Sequence, residues 1–102
     1  MQQVRIAVLT LKPGTADEVI RRAKAEVAPR LHGEAGFVAY GLVKTGDTTV
    51  ISLSIWGLED QATAAGELVE RWEQESFGPP VDAVESHIGR LEFFWDLGTI
   101  GR

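Results

Sequence analysis

Two side chains have an unperturbed pKa near neutrality, His32 and His87, which makes them the natural candidates for a general base. His87 stands near Pro79-Pro80 in a segment expected to fold over one end of a sheet, and His32 lies in the loop closing the first helix. Each could equally be an exposed histidine at a helix end. Neither has a second histidine or a carboxylate at ligand spacing, so no metal site is expected. Cysteine is absent, which removes thiol catalysis, thiolate ligation and redox disulfides. Tyr40, the single tyrosine, could orient a substrate carbonyl or stabilise an enolate from an apolar cleft. It could also be a core residue whose hydroxyl reaches solvent. Ser52 and Ser54 lack a Gly-x-Ser-x-Gly elbow and read as small packing residues. The glycines form neither a phosphate loop nor a dinucleotide fingerprint, so no nucleotide site is expected.

Phe37, Tyr40, Trp56, Trp72, Phe77, Phe93 and Trp95 are a heavy aromatic load for so short a chain, and most should be core. The functional reading is a flat apolar pocket between sheet and helices. Trp72, Trp56, Phe77, Phe93, Trp95 and His32 are its candidate lining, with Ala62, Ala64, Ala65 and Gly66 keeping the second helix thin enough to leave room.

The elements that must position these groups follow from periodicity. Val4 to Leu11 is rich in β-branched residues and reads as a strand ended by Lys12-Pro13-Gly14. Thr15 to Glu18 has capping-box spacing, and Ala16, Ile20, Ala23, Val27 and Leu31 then make one helical stripe. Pro29 predicts a kink or an early end near Ala28. Phe37 to Val43 and Thr49 to Trp56 read as an antiparallel hairpin. Leu58, Ala62, Ala65, Val69 and Trp72 set one face of a second long helix, broken by Gly78-Pro79-Pro80. A short helical turn is expected from Pro80 to about His87, and Leu91 to Leu97 is expected as the last strand.

This β-α-β-β-α-β order predicts one α+β, ferredoxin-like domain spanning residues 1–102, with a four-stranded antiparallel sheet and both long helices on one face. A chain of 102 residues with 44% hydrophobic composition folds around a single core. Its strands are apolar on both sides: Val4, Ile6 and Val8 oppose Ala7, Leu9 and Leu11, while Ile51, Leu53 and Ile55 oppose Val50 and Trp56. Helices can cover only one side. The simplest cover for the other is a second copy, giving a homodimer through the sheet face.

Fifteen acidic against ten basic residues give a net charge of −5, which argues against nucleic acid as a partner. No apolar run is long enough to span a membrane and no secretory signal stands at the N-terminus, so a cytoplasmic protein is expected.

Lys12-Pro13-Gly14, Gly36-Phe37 with Tyr40, and Ser54-Ile55-Trp56 followed by Leu58-Glu59-Asp60-Gln61-Ala62 resemble the antibiotic biosynthesis monooxygenase family across about Val4 to Leu97. The resemblance implies a dimeric α/β barrel built from two ferredoxin-like sheets. Its superfamily holds cofactor-free monooxygenases of aromatic polyketides, haem-degrading enzymes, and small cyclases and isomerases. The haem-degrading branch has an Asn in the first strand and a Trp and a His on the second long helix. Here those positions are Ala7, Ala65 and Glu75, and the chain has no Asn at all, which argues against haem degradation.

The resemblance therefore implies a monooxygenase that uses neither metal nor flavin and acts on a small aromatic or polyketide-like substrate. His87 is the candidate base and Tyr40 the candidate donor that holds the substrate anion. Two alternatives share the fold: a cyclase or isomerase using the same base without oxygen, and a non-enzymatic dimer that binds an apolar ligand.

Overall fold

The computed structural model describes residues 2–76 and 81–95. Strand β1 (Gln3–Leu11) leads into helix α1 (Ala16–Arg22), which runs through a π-helical turn (Ala23–Val27) into α2 (Ala28–His32). Strands β2 (Phe37–Gly46) and β3 (Thr49–Trp56) form the hairpin, followed by α3 (Glu59–Ser76) and β4 (Val81–Arg90). The sheet order is β2-β3-β1-β4, with every neighbouring pair antiparallel. The fold is α+β and ferredoxin-like, as the order of elements predicts.

Several local expectations need correction. The fourth strand is Val81–Arg90, where the sequence predicts a helical turn, and residues 91–95 lie outside any strand. Val84 and Ile88, four apart, share a side in a strand as they do in a helix, so their spacing does not discriminate. What decides is the free edge of β1, whose backbone groups pair with β4 from Gln3 opposite Arg90 to Leu11 opposite Val81. Only the Leu91 N–H continues the ladder, donating to the Gln2 carbonyl at 2.8 Å.

The capping box does not form either. The Thr15 hydroxyl donates to the Lys12 carbonyl at 2.7 Å, and Glu18 pairs with Arg21 instead. The third correction concerns Pro29, which does not end the helix at Ala28. The chain widens before it, the Ala28 N–H reaching back five residues to the Ala23 carbonyl, and the proline sits in the first turn of α2, where a missing N–H matters least.

One face of the sheet is covered. Leu9 and Leu11 of β1 and Val50 and Trp56 of β3 pack beneath Val19, Ala23, Val27 and Leu31 of the first helical rod and Ala62, Ala65, Val69 and Trp72 of α3. At about 1.5–3 kcal/mol for each large apolar side chain buried, this layer dominates stability. Leu58, expected on the buried stripe of α3, is exposed; its N–H starts the helix by donating to Gln61 Oε1 at 2.9 Å. Gly36, at φ +81°, leaves the space that this Gln61 amide occupies. The opposite face carries Val4, Ile6 and Val8 with Ile51, Leu53 and Ile55, and among the described residues no helix lies over it.

Candidate functional site

Strand pairing places three polar side chains in one row on the covered face. Tyr40 of β2 lies opposite Ser54 of β3, and Ser54 lies opposite Arg5 of β1. In the adjacent row Phe37, Trp56 and Gln3 follow one another across the same strands. Residues directly opposite in such ladders have Cβ atoms about 4.5–5.5 Å apart. Arg5, Ser52, Ser54 and Trp56 are all buried beneath α3, while Tyr40 is partly buried against the core.

Arg5 is the unexpected member. It is only 4% exposed, and its nearest carboxylate is Glu70 of α3, at 3.8 Å and half exposed. Gly66 of α3 makes room for it: a Cβ there would come within 2.5 Å of Arg5 Nε. Glycine in a helix interior costs about 1 kcal/mol relative to alanine, and a buried guanidinium loses its hydration. Both penalties converge on one point of the helix–sheet layer. Beside it, the Trp56 indole is 0% exposed and its N–H has no acceptor among the described residues.

Trp72 is buried on the same layer and fixed in orientation. Its indole N–H donates to Glu26 Oε1 at 3.2 Å, and Arg22 Nε donates to Glu26 Oε2 at 2.8 Å. These hydrogen bonds, from Arg22 first and Trp72 second, hold the Glu26 carboxyl below the usual carboxylate range. Glu26 stands in the π-helical turn, so the widened segment is also the one that positions the tryptophan. His32 is exposed at the end of α2, with its ring centroid 5.6 Å from that of Phe37, which in turn meets Trp56 edge-on at 5.6 Å.

His87 lies elsewhere. It pairs with Ile6 and so faces away from the helices, its Nε2 3.1 Å from Glu85 Oε1. It lines a hollow of about 450 Å³ on the open face, together with Val4, Ile6, Leu53, Ile55 and Phe94. His87 and Tyr40 are therefore on opposite faces of the sheet and do not meet within one protomer. Phe93 and Trp95 do not line the helix–sheet layer either: they follow β4, are 76% and 83% exposed, and meet each other edge-on at 6.4 Å. Phe77, the remaining candidate, lies outside the described residues. The sequence pattern does not reveal Arg5 or Glu26, and Gly66, expected to thin α3 for a pocket, instead makes room for Arg5. The available signals were a lone charge inside an apolar strand and a glycine inside a helical stripe.

The antibiotic biosynthesis monooxygenase family model matches residues 3–66. The chain belongs to this family. The matched span contains Arg5, Tyr40, Ser54, Trp56 and Gly66 and stops before Trp72 and β4. Solved structures with the fold of the antibiotic biosynthesis monooxygenases align over most of the chain. A point mutant of SnoaB, a cofactor-independent oxygenase from Streptomyces nogalater, aligns with a TM-score of 0.70 at 15% identity, covering 91% of this chain and 95% of its own. The ActVA-Orf6 monooxygenase of Streptomyces coelicolor, in complex with nanaomycin D, gives 0.69 at 16% identity, covering 92% of each chain. A point mutant of MhuD with two manganese protoporphyrins per active site gives 0.72 at 14% identity, covering 92% and 98%. No curated protein sequence matches the chain. At these identities the structures establish the fold alone, and proteins of different ligand chemistry share it. The positions that depart from the haem-degrading pattern hold a buried Ala7, a buried Ala65 and an exposed Glu75.

Proposed function

We propose that the chain is a cofactor-independent monooxygenase acting on a small aromatic or polyketide-like substrate bound between the sheet and the helices. The observation that carries this reading is the family match across the elements that build the Tyr40–Ser54–Arg5 row. SnoaB and ActVA-Orf6, oxygenases of the same fold, supply the reaction class. A substrate with an acidic methylene flanked by carbonyl-conjugated rings loses a proton, and the carbanion–enolate supplies the electrons that dioxygen needs. A C–O bond forms, and loss of water from the resulting hydroperoxide leaves the ketone, so that CH2 plus O2 becomes C=O plus H2O. The protein's part is a dry apolar layer and a donor such as Tyr40 for the enolate oxygen.

His87 acts as the base only for a substrate seated in the open-face hollow, since Tyr40 and His87 lie on opposite sides of the sheet. The same hollow favours the second reading, a dimer that binds an apolar ligand without turnover. In either reading the functional unit is a homodimer in the cytoplasm, paired through the open face, where Ile6, Val43 and Leu53 otherwise leave a broad apolar surface in water.

Oxygen uptake with an anthrone-type substrate tests the assignment. Uptake should match product formation one to one and fall about 100-fold or more in Tyr40→Phe, the loss expected for one hydrogen-bond donor to a developing charge. Turnover that continues without oxygen would refute the oxygenase, and turnover that survives both Tyr40→Phe and His87→Ala unchanged would refute the mechanism. Saturable binding without uptake would establish the second reading.

A further inference from the structure

Arginine and the tryptophan indole are donors only; neither can accept a hydrogen bond. The helix–sheet layer holds Arg5 and two tryptophans, Trp56 and Trp72, all more than nine-tenths buried, and the Trp72 N–H is taken by Glu26. Arg5 and Trp56 are diagonal neighbours on the covered face, because Arg5 pairs with Ser54 and Gln3 pairs with Trp56. Among the described residues the Trp56 N–H is sealed without an acceptor, whereas the Arg5 nitrogens are not among the sealed, unpartnered atoms and the guanidinium pairs with Glu70 at 3.8 Å. Glu70 balances its charge from 3.8 Å without bonding it, and from a half-exposed position. Buried donors are normally satisfied, so the Trp56 N–H is the anomaly, with a nearly buried cation beside it. Gly66 gives up helix propensity to let the arginine lie there at all.

We propose that Arg5, with the Trp56 N–H as second donor, is an oxyanion-binding site that selects ligands carrying a carboxylate or a comparably ionised oxygen on an aromatic ring. The ligand oxygens supply the acceptor that the Trp56 N–H lacks and a closer counter-charge for Arg5 than Glu70. A charge-assisted bond to Arg5 inside a dry layer is stronger than its counterpart in water and discriminates sharply against an uncharged isostere. Glu70 is the resting counter-charge that an arriving anion displaces. This inference rests on the helix–sheet layer being the ligand site, as proposed above, but not on oxygen chemistry.

Sodium benzoate titrated into the 15N-labelled protein, with benzyl alcohol as the uncharged comparison, tests it through the Arg5 Nε–H and Trp56 indole N–H resonances. Benzoate should move both signals on one saturable curve and bind at least about 10-fold more tightly than benzyl alcohol. Arg5→Met should weaken benzoate about 10- to 100-fold and leave benzyl alcohol unaltered. Glu70→Gln should tighten benzoate, because the competing carboxylate is gone. Benzoate that leaves both signals in place, or that binds Glu70→Gln no better than the wild type, overturns the site; should Arg5→Met fail to fold, Glu70→Gln decides alone. Oxygen-dependent turnover without a benzoate response removes the anion site and leaves the oxygenase standing, whereas a benzoate response without oxygen uptake does the reverse.

Discussion

Both faces of the sheet are rich in apolar residues, and they are opposite in condition. On the covered side Leu9, Leu11, Val50 and Trp56 lie under helices, with a polar row set among them. On the open side Ile6, Leu53 and Val43 remain exposed, and the segment after β4 adds Phe94. The difference separates two tasks. The buried charge and the fixed tryptophan are on the face with helices to exclude water; the face without them has the simpler composition of a surface awaiting a partner.

The comparison breaks hardest at the tryptophans. Trp56→Ala should cost about 3–5 kcal/mol in chemical denaturation, because a fully buried indole leaves a large cavity. Trp95→Ala, made on a side chain that is 83% exposed, should change monomer stability by less than about 0.5 kcal/mol. Equal losses would mean that the segment after β4 is packed in solution. The next effect concerns assembly: Leu53→Asp, at the centre of the open face, should convert a dimer to a monomer on sizing with light scattering, with the far-UV spectrum retained. A wild-type monomer would remove the proposed interface altogether.

The smallest effect is electrostatic and belongs to the covered side. The Glu26 carboxyl is lowered in the folded state, so it contributes stability above its unfolded pKa, and that contribution is lost as pH falls through the folded value. Stability between about pH 6 and pH 3 should therefore fall less steeply in Glu26→Gln than in the wild type. A parallel decline would show that the Arg22 and Trp72 hydrogen bonds add nothing in solution.

Local periodicity is enough for β1, the hairpin and α3, because each has a long single-period pattern that no competing structure satisfies. It fails at β4, where Val84 and Ile88 fit both periods and the deciding influence is the unpaired edge of a strand at the other end of the chain. The site is harder for the same reason. Arg5 alternates with Val4 and Ile6 as a solvent-facing residue would, and only the strand order and the position of Gly66 turn it inward. His87 and Tyr40 make a plausible pair until strand register sets their faces, and no local signal carries that information. The two apolar faces, by contrast, are evident from β1 and β3 alone.

The π-helical turn at Ala23–Val27 has a further meaning. Such a turn is the trace that a single extra residue leaves in a helix, and each residue rotates the chain by about 100°. Removing one residue there, Lys24 for instance, would restore a regular helix and swing everything before it by that angle relative to α2. Either Glu26 keeps its place beside Trp72 or the Ala16–Val19 face keeps its place on the core, but not both. The length of the first helix is thus part of how the tryptophan is held, and relatives that lack the extra residue must secure the equivalent side chain by other means.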